Sequence, residues 1–329
     1  MPNAFFRTDT DRVRTPVALE NLYAGDPRST CWILGGGPSL ASLPIDRIAA
    51  SPAPTFAINL AAQGLLRPTF WTAYDATARF DRSLYHDAGT LKFVPANRAM
   101  DLVPETTHKL CDAPGTVCFE TEPGRTYGDW LDADRTRLVD WADSLVQAIA
   151  IAVRLGFRRL LLAGCEMRID PPRALLALAR RHGIDHDRSR PLSALVDACR
   201  AAGLTDETLD RLPRAKAYHF DEDKPLAATV RTDGHYFRVA QSLRLSRRTL
   251  GDRGVEIVLA TPGSRLHPAF PYRDVGTLLA ELTHDYGDRS RESPRGRYAL
   301  TKPRLPSDIG HMVDMPPFVR GPQLEAIAV

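Results

Sequence analysis

The chain has 329 residues, of which 43% are hydrophobic and 25% are charged, and its net charge is +3. These values are ordinary for a soluble globular protein with a substantial buried core. The small net charge gives no argument for binding to nucleic acid or to a membrane surface. Segment 1–14 is polar and unlike a signal peptide, and no apolar run approaches the roughly 20 residues of a membrane span.

The cysteines indicate a reducing environment. Five are scattered along the chain without a CxxC pair, namely Cys31, Cys111, Cys118, Cys165 and Cys199. An odd number of cysteines without regular spacing is typical of proteins that form no disulfides. We therefore expect a cytoplasmic protein.

The first clear element ends in a glycine-rich loop. The apolar run 31–34 predicts a buried strand. The loop that follows consists of Gly35, Gly36, Gly37, Pro38 and Ser39. Glycines let backbone N–H groups approach a ligand closely because they have no Cβ. Ser39 is expected to cap a short helical turn whose N–H groups attract an anion.

A second strand, predicted over 55–58, ends on the polar Asn59. Further short apolar runs predict strands over 70–73, 91–94 and 116–119. Their spacing leaves room for short crossover helices, as in βαβ units. Strand ends that carry glycine and asparagine together indicate a nucleotide site at the carboxyl edge of a parallel sheet.

The clearest helix-to-strand signal covers residues 144–164. Apolar residues at helical spacing predict a helix over 144–155, whose start Asp143 or Ser144 can cap and which Gly156 ends. The basic and apolar run 158–164 then predicts a buried parallel strand. The expected fold class is α/β, with a Rossmann-like, mostly parallel sheet flanked by helices.

The domain prediction has four parts. Residues 1–29 are a polar lead-in, and 30–284 form the nucleotide-binding domain. Within it, 168–214 are rich in leucine, alanine and arginine at helical spacing and are interpreted as a helical insertion. Residues 285–329, rich in arginine and proline, are expected to be an irregular tail.

The last αβ unit precedes that tail. A helix is predicted over 236–250 and a strand over 255–259. The strand ends in another loop of small residues, which includes Thr261, Gly263 and Ser264.

Two histidines are candidates for a general base. A nucleotide site that transfers a group to a hydroxyl would need a residue that accepts the hydroxyl proton, and histidine suits that task. His219 has aromatic and acidic neighbours, and His235 stands just before the predicted helix over 236–250. Asp75 is a third candidate catalytic residue, with a helix cap as its structural alternative.

These motifs resemble a known superfamily. They are the loop 35–40, Asn59, a Trp-x-x-x-Asp over 71–75, the small-residue helix over 144–156, the strand with Gly-x-x-Met over 160–167 and Thr-Pro-Gly-Ser-x-Leu over 261–266. The superfamily joins 6-hydroxymethylpterin diphosphokinase-like proteins, motility accessory factor glycosyltransferases and related phage proteins. The loop is also similar, more distantly, to that of bacterial lipooligosaccharide sialyltransferases.

The resemblance implies a modified Rossmann sheet that transfers a sugar or a diphosphate from a nucleotide. It implies that Gly35, Gly36, Gly37 and Ser39 hold the phosphates and that Asn59 contacts the ribose or a phosphate. Asp75 would line the same cleft. Pro38, Ser144, Thr261, Gly263 and Ser264 complete the predicted nucleotide-binding set.

Three functions follow as hypotheses. The first is a glycosyltransferase that moves a sugar from a nucleotide sugar to an acceptor hydroxyl. The second is an ATP- and Mg²⁺-dependent diphosphokinase, with Asp75 and the acidic segment 221–223 near the metal. The third is a nucleotide-binding module without chemistry. The phage relatives make a modified DNA base one candidate acceptor. No residue is assigned as a dedicated metal ligand.

Overall fold

The computed structural model describes residues 4–24, 29–124, 127–132, 135–212, 215–219 and 222–286. For residues 215–219, 222–224, 285 and 286 it describes the backbone alone. The predicted tail beyond residue 286 and Asp221 of the acidic segment lie outside the described residues.

Short strands alternate with helices through most of the chain. The strands are β1 (Phe5–Thr8), β2 (Arg14–Pro16), β3 (Thr30–Leu34), β4 (Thr55–Ile58), β5 (Phe70–Thr72), β6 (Leu91–Pro95), β7 (Thr116–Phe119), β8 (Thr121–Pro123), β9 (Leu138–Asp140), β10 (Arg159–Ala163), β11 (Ala215–His219), β12 (Glu222–Lys224) and β13 (Glu256–Leu259). The helices are α1 (Ile45–Ala49), α2 (Arg82–His86), α3 (Ser144–Arg154), α4 (Arg173–Arg181), α5 (Leu192–Ala201), α6 (Asp206–Asp210), α7 (Leu226–Leu245), α8 (Arg247–Asp252) and α9 (Val275–Tyr286).

Within the described residues, nine strands form one sheet in the order β13-β10-β3-β4-β5-β6-β7-β1-β2. The seven strands from β13 to β7 are parallel, and β1 and β2 add antiparallel pairs at one edge. This mostly parallel sheet flanked by helices confirms the predicted α/β, Rossmann-like fold class.

The order of the strands places a topological switch point beside β3. From β3 the chain adds β4, β5, β6 and β7 in one direction, and it then returns to place β10 and β13 on the other side of β3. In open α/β sheets, ligands bind in the crevice outside the carboxyl ends of the strands at such a point.

Apolar residues cover both faces of the sheet. In β3, Cys31 and Ile33 pack into one cluster with α3, whereas Trp32 and Leu34 pack into another with α9. Alternate residues of a strand point to opposite faces, so a strand buried on both sides is apolar throughout. This explains the uninterrupted apolar runs that predicted the strands.

Helix α3 is buried over its whole length. Its amino terminus lies at the carboxyl edge of the sheet, where Asp143 caps it by accepting hydrogen bonds from the backbone N–H groups of Leu145 and Val146 at 2.9 and 3.1 Å. Its carboxyl end is followed by Gly156 at φ +99°, where an added Cβ would collide with the backbone of Ala24. The predicted start and end of this helix agree with the structure.

The amino-terminal segment differs from the prediction. Within the predicted polar lead-in, β1 pairs with β7 and β2 pairs with β1, so the main sheet begins well before residue 30. Phe5 and Phe6 of β1 are buried, and Arg14 of β2 lies over the ring of Phe6 at 4.4 Å. Pairing with the distant strand β7 holds this segment in the sheet, because its own sequence carries no strong strand pattern.

The predicted helical segment 168–214 contains α4, α5 and α6. These helices share a small apolar cluster of their own, to which α7 adds Leu226 and Val230. Helix α7 begins at Leu226, ten residues before the predicted helix start, and a second helix, α8, follows it. His235 therefore lies inside a helix and not before one, which corrects the sequence interpretation.

Strands β11 and β12 form a separate antiparallel pair. Backbone positions of β11 come within 8 Å, from Cα to Cα, of the short 3₁₀ turn Pro38–Ser42. His219 is the last residue of β11, so this predicted base lies on the hairpin that approaches the glycine-rich loop. Among the described residues, no helix is both long and apolar enough to cross a membrane.

Candidate functional site

A cleft opens at the carboxyl edge of β10, β3 and β4, beside the topological switch point. Its empty volume is about 520 Å³, including solvent space at its mouth. The residues that line it are Gly35, Gly36, Gly37, Pro38, Ile58, Asn59, Asp143, Ser144, Leu145, Gly164, Cys165, Glu166, Met167, Arg168 and Tyr236. Most of the predicted nucleotide-binding residues therefore meet in one place.

The glycine-rich loop packs tightly against the end of β10. The backbone N–H of Gly35 donates to Ala163 O at 2.8 Å, and that of Gly37 donates to Gly164 O at 2.9 Å. An added Cβ on Gly35 would lie 2.5 Å from Gly164 O, and one on Gly37 would collide with the Glu166 carboxylate. Glycine is required at both positions because the residues that follow β10 pack directly against the loop.

The role predicted for Ser39 as a cap is wrong. Gly37 is the N-cap of the 3₁₀ turn, and Ser39 lies inside the turn. The Ser39 hydroxyl is buried and forms no hydrogen bond, while its backbone N–H donates to Glu166 Oε1 at 2.7 Å. A carboxylate thus occupies the backbone N–H that the sequence analysis assigned to a phosphate.

Glu166 lies shortly after the end of β10, beyond Gly164 and Cys165, and lines the cleft. Its Oε1 accepts the Ser39 hydrogen bond, whereas its Oε2 is buried and receives none. A buried ionised oxygen without a donor is energetically unfavourable. The sequence analysis did not include this residue among the candidates.

Asn59 and Ser144 connect β4 to the start of α3. The Ser144 hydroxyl donates to Asn59 Oδ1 at 2.8 Å and accepts the backbone N–H of Tyr74 at 2.9 Å. Asn59 has φ +50°, and Met167, on the other side of the cleft, has φ +49°. Positive φ at residues other than glycine is uncommon and often marks functional sites.

Asp143 and His235 form a pair at this edge. His235 Nε2 lies 3.0 Å from Asp143 Oδ2. The Asp143 side chain is only 7% exposed, and the His235 side chain is 31% exposed. His235 does not itself line the cleft and is connected to it through Asp143, while Tyr236, the next residue, does line it. A carboxylate that accepts one ring N–H holds the imidazole in one orientation and leaves the other nitrogen to take a proton.

Arg168 provides positive charge in the cleft. Its side chain is 17% exposed, and its Nε lies 3.3 Å from the exposed Asp170 carboxylate. Burial lowers the pKa of this guanidinium, which nevertheless stays charged at neutral pH. Arginine in a cleft suits a phosphate or carboxylate group because its planar N–H groups match those oxygens.

Thr261, Gly263 and Ser264 do not line the cleft. The hydroxyl of Thr261 accepts the Cys165 N–H at 3.0 Å, and that of Ser264 donates to Cys165 O at 2.8 Å. An added Cβ on Gly263 would lie 3.2 Å from Arg168 Nη2. This loop supports the cleft-lining segment from behind, which differs from the predicted contact with the nucleotide.

Asp75 is also separate from the cleft lining. Its carboxylate accepts from Nη1 of Arg79, a nearby residue in the chain, at 2.8 Å. His219 ends β11, and its side chain lies outside the described part of the structure. In the described residues, no group of three or more His, Cys, Asp or Glu side chains is placed to hold a metal ion.

Cys165 is the cleft residue with the most strongly perturbed ionisation. Burial raises the pKa of its thiol far above the usual range, and the neighbouring Glu166 adds to that effect. The thiolate form required of a nucleophile is therefore disfavoured. Cys165 packs in the core at the end of β10 and is not a candidate nucleophile.

Three charged residues of the cleft lining were missed as site residues, namely Asp143, Glu166 and Arg168. Glu166 and Arg168 stand just beyond the strand predicted over 158–164, so the strand-end argument applied to Asn59 would have found them. Asp143 is visible as a helix cap, but its contact with His235 joins residues 92 positions apart. No local pattern encodes that contact.

Comparison with known proteins adds no assignment. No protein-family model, curated protein or solved structure matches the chain.

Proposed function

We propose that the protein is a nucleotide-dependent transferase, and specifically a glycosyltransferase that uses a nucleotide-sugar donor. The observation that carries the proposal is the cleft at the switch point, where the glycine-rich loop, Asn59 and the start of α3 meet. This is the expected position of a nucleotide in an open α/β sheet. The motif resemblance supports the same function.

The cleft can receive the phosphates of such a donor. Arg168 supplies positive charge in the cleft, and its planar N–H groups match the geometry of phosphate oxygens. The glycines of the loop leave room for a ligand to approach the backbone. These groups would also stabilise the charge that develops on the leaving phosphate during transfer.

We assign the general base to His235, because its imidazole is partly exposed beside the cleft and is oriented by Asp143, which lines the cleft. In the transfer, the acceptor hydroxyl oxygen bonds to the sugar carbon while the bond from that carbon to the donor phosphate breaks. The hydroxyl proton passes to the imidazole, and the nucleotide leaves with the bonding electron pair. His219 remains the alternative base, because its hairpin passes close to the glycine-rich loop.

The diphosphokinase hypothesis receives less support from the contacts. It requires Asp75 near a metal-bound diphosphate, but that carboxylate is paired with Arg79 and does not line the cleft. The acceptor of the glycosyltransferase is defined only as a hydroxyl. A sugar, a small alcohol and a modified DNA base all satisfy that chemistry.

A thermal-shift screen against nucleotides and nucleotide sugars tests the proposal. A ligand at 100 times its dissociation constant stabilises the folded state by about 2.7 kcal/mol, which is readily detected. We expect a nucleotide sugar and its nucleoside diphosphate or monophosphate to stabilise the protein in the presence of EDTA. Incubation with the donor should then release the nucleotide.

Two results would contradict this function. Release of AMP from ATP that stops on addition of EDTA would favour the diphosphokinase. Binding without turnover of any donor, with a range of hydroxyl acceptors, would favour a nucleotide-binding module.

A further inference from the structure

We infer that the Glu166 carboxylate occupies the anion subsite of the cleft and must leave the Ser39 amide before a ligand phosphate can bind there. This inference rests on the proposed nucleotide site and deepens it. It assigns Glu166 as an internal competitor that sets the affinity of the cleft for phosphate-bearing ligands.

The first argument is the position of the carboxylate. Its Oε1 accepts from the Ser39 backbone N–H at 2.7 Å, and its Oε2 fills the space next to Gly37 that a Cβ would otherwise occupy. A cradle of glycines with a backbone N–H at its base accommodates an oxyanion, and here the oxyanion is supplied by the chain itself.

The second argument is that the carboxylate is poorly satisfied there. Oε2 is buried and receives no hydrogen bond, and the buried Ser39 hydroxyl beside it also lacks a partner. By contrast, both carboxylate oxygens of Asp143 accept hydrogen bonds. A group with an unmatched buried charge is displaced more easily than one whose oxygens are both paired.

The third argument is the charge around the carboxylate. Glu166 and Arg168 line the same cleft two residues apart, but no hydrogen bond or ion pair joins them in the described structure. A phosphate near Arg168 would lie close to the Glu166 carboxylate and be repelled by it. Rotation of Glu166 away from the loop would remove the repulsion and release the Ser39 N–H at the same time.

The alternative role for Glu166 is direct recognition of the ligand, for example by accepting hydrogen bonds from ribose hydroxyls. The buried state of Oε2 argues against this role, because a ligand hydroxyl cannot reach that oxygen in the observed conformation. The two roles predict opposite effects of removing the charge.

Isothermal titration with inorganic pyrophosphate, in EDTA, separates them. Glu166→Gln retains an oxygen that can accept the Ser39 N–H but removes the negative charge. We expect this variant to bind pyrophosphate at least tenfold more tightly than the wild type. Glu207→Gln is the matched control, since it removes an equal charge on the exposed helix α6 and should leave the affinity unchanged.

Equal or weaker binding by Glu166→Gln, or no detectable binding by either protein, would overturn the inference. A thermal melt of each variant shows whether it is folded, and Glu166→Asp provides a second test. Its shorter side chain keeps the charge but retracts from the loop, so its affinity should lie between those of the wild type and the glutamine variant.

The same titration with the nucleotide found in the screen distinguishes the two proposals. Nucleotide binding that Glu166→Gln does not strengthen would remove the inference and leave the proposed function in place. Stronger pyrophosphate binding by the variant, without any nucleotide binding or turnover, would support the subsite and contradict the proposed function.

Discussion

Three acidic side chains near the cleft differ in what their oxygens receive. Asp143 caps α3 and pairs with His235, and the fully buried Asp233 accepts two backbone N–H groups and a guanidinium. Glu166 accepts one hydrogen bond only. Fully paired carboxylates hold a structure in place, whereas the partly paired one is available for exchange with a ligand.

The first prediction concerns the general base. Replacing His235 with alanine should lower turnover by about 10²- to 10⁴-fold, the usual contribution of general-base catalysis. Donor affinity should change little, because the imidazole contacts Asp143 and does not line the cleft. Steady-state rates with the donor from the screen, together with a donor titration, measure both quantities.

Two further variants make this test specific. Asp143→Asn keeps the oxygen that caps α3 but presents an amide to His235, so it should reduce turnover without unfolding the protein. His219→Ala should retain full activity. Loss of turnover with His219→Ala, but not with His235→Ala, would assign the general base to His219 instead.

At the scale of elements, the glycine-rich loop has two functions that different glycines serve. Gly35 and Gly37 allow β3 and the residues after β10 to come together, whereas Gly36 is partly exposed and lines the cleft. The first is a role in the fold, and the second is the role that the proposed nucleotide site assigns to Gly36.

The second prediction separates these functions. Gly36→Val should abolish nucleotide binding, as measured by calorimetric titration, and leave the fold intact, as checked by circular dichroism. Gly35→Ala is the contrasting variant, because its Cβ would lie 2.5 Å from Gly164 O and 2.7 Å from Cys165 Sγ. It should lower the free energy of unfolding by about 1–3 kcal/mol. Unchanged affinity in Gly36→Val would mean that the loop is only a turn.

Asp233 joins four elements of the structure. From α7 it accepts the backbone N–H groups of Ile169 at 2.8 Å and of Leu192, at the start of α5, at 2.7 Å. It also pairs with the buried Arg265 at 3.0 Å. It thereby fixes the helical segment 168–214 to α7 and to the loop behind the cleft.

The third prediction is that Asp233→Ala lowers the free energy of unfolding by about 3–5 kcal/mol, because it leaves the Arg265 charge buried without a partner. Asp197→Ala is the matched control. It also removes a helical aspartate paired with an arginine, but that pair is exposed to solvent and should contribute little to stability. Urea unfolding measures both, and equal effects of the two substitutions would contradict the argument.

The elements that the sequence predicted well share one property. The strands of the parallel sheet are continuous apolar runs because both of their faces are buried, so β3, β4 and β7 could be located to within a residue. The start of helix α7 was predicted ten residues too late, because Asp233 and Gly234 interrupt its run of apolar residues at helical spacing. Asp233 is buried there only because Ile169, Leu192 and Arg265 supply its partners, and those contacts are distant in sequence.

At the scale of the whole molecule, the order of the strands determines where the cleft lies. The sequence could place the glycine-rich loop and Asn59 together, because the carboxyl ends of parallel strands share one edge, whereas Ser144 was added only through the motif resemblance. It could not give the side-chain pairing of His235 with Asp143, or the approach of Glu166 to the loop. Each of these two contacts depends on how a helix or loop packs against the sheet.

The sheet also buries one charge-bearing group far from the cleft. Lys92 of β6 is fully buried, and its ammonium group donates to Asp87 O at 2.6 Å and to Thr90 O at 2.9 Å. Burial lowers its pKa to about 7; the Asp87 carboxylate opposes the shift and the Arg67 guanidinium adds to it. The unfolded chain has no such burial, and there the pKa of lysine is about 10.4.

The last prediction is the effect of Lys92 on stability as pH changes. Between pH 7 and about 10 the unfolded state binds a proton that the folded state has lost, so the contribution of Lys92 to the free energy of unfolding rises with pH. Below pH 7 lysine is charged in both states, and the full cost of burying that charge is present and constant. The free energy of unfolding of the wild type minus that of Lys92→Met should therefore be flat below pH 7. Above it, the difference should rise by about 1 kcal/mol per pH unit. Urea unfolding of both proteins at pH 6, 8 and 9.5 measures it. Parallel curves at all three values would show that Lys92 keeps its proton in the folded sheet, held by the two carbonyl groups and the nearby Asp87.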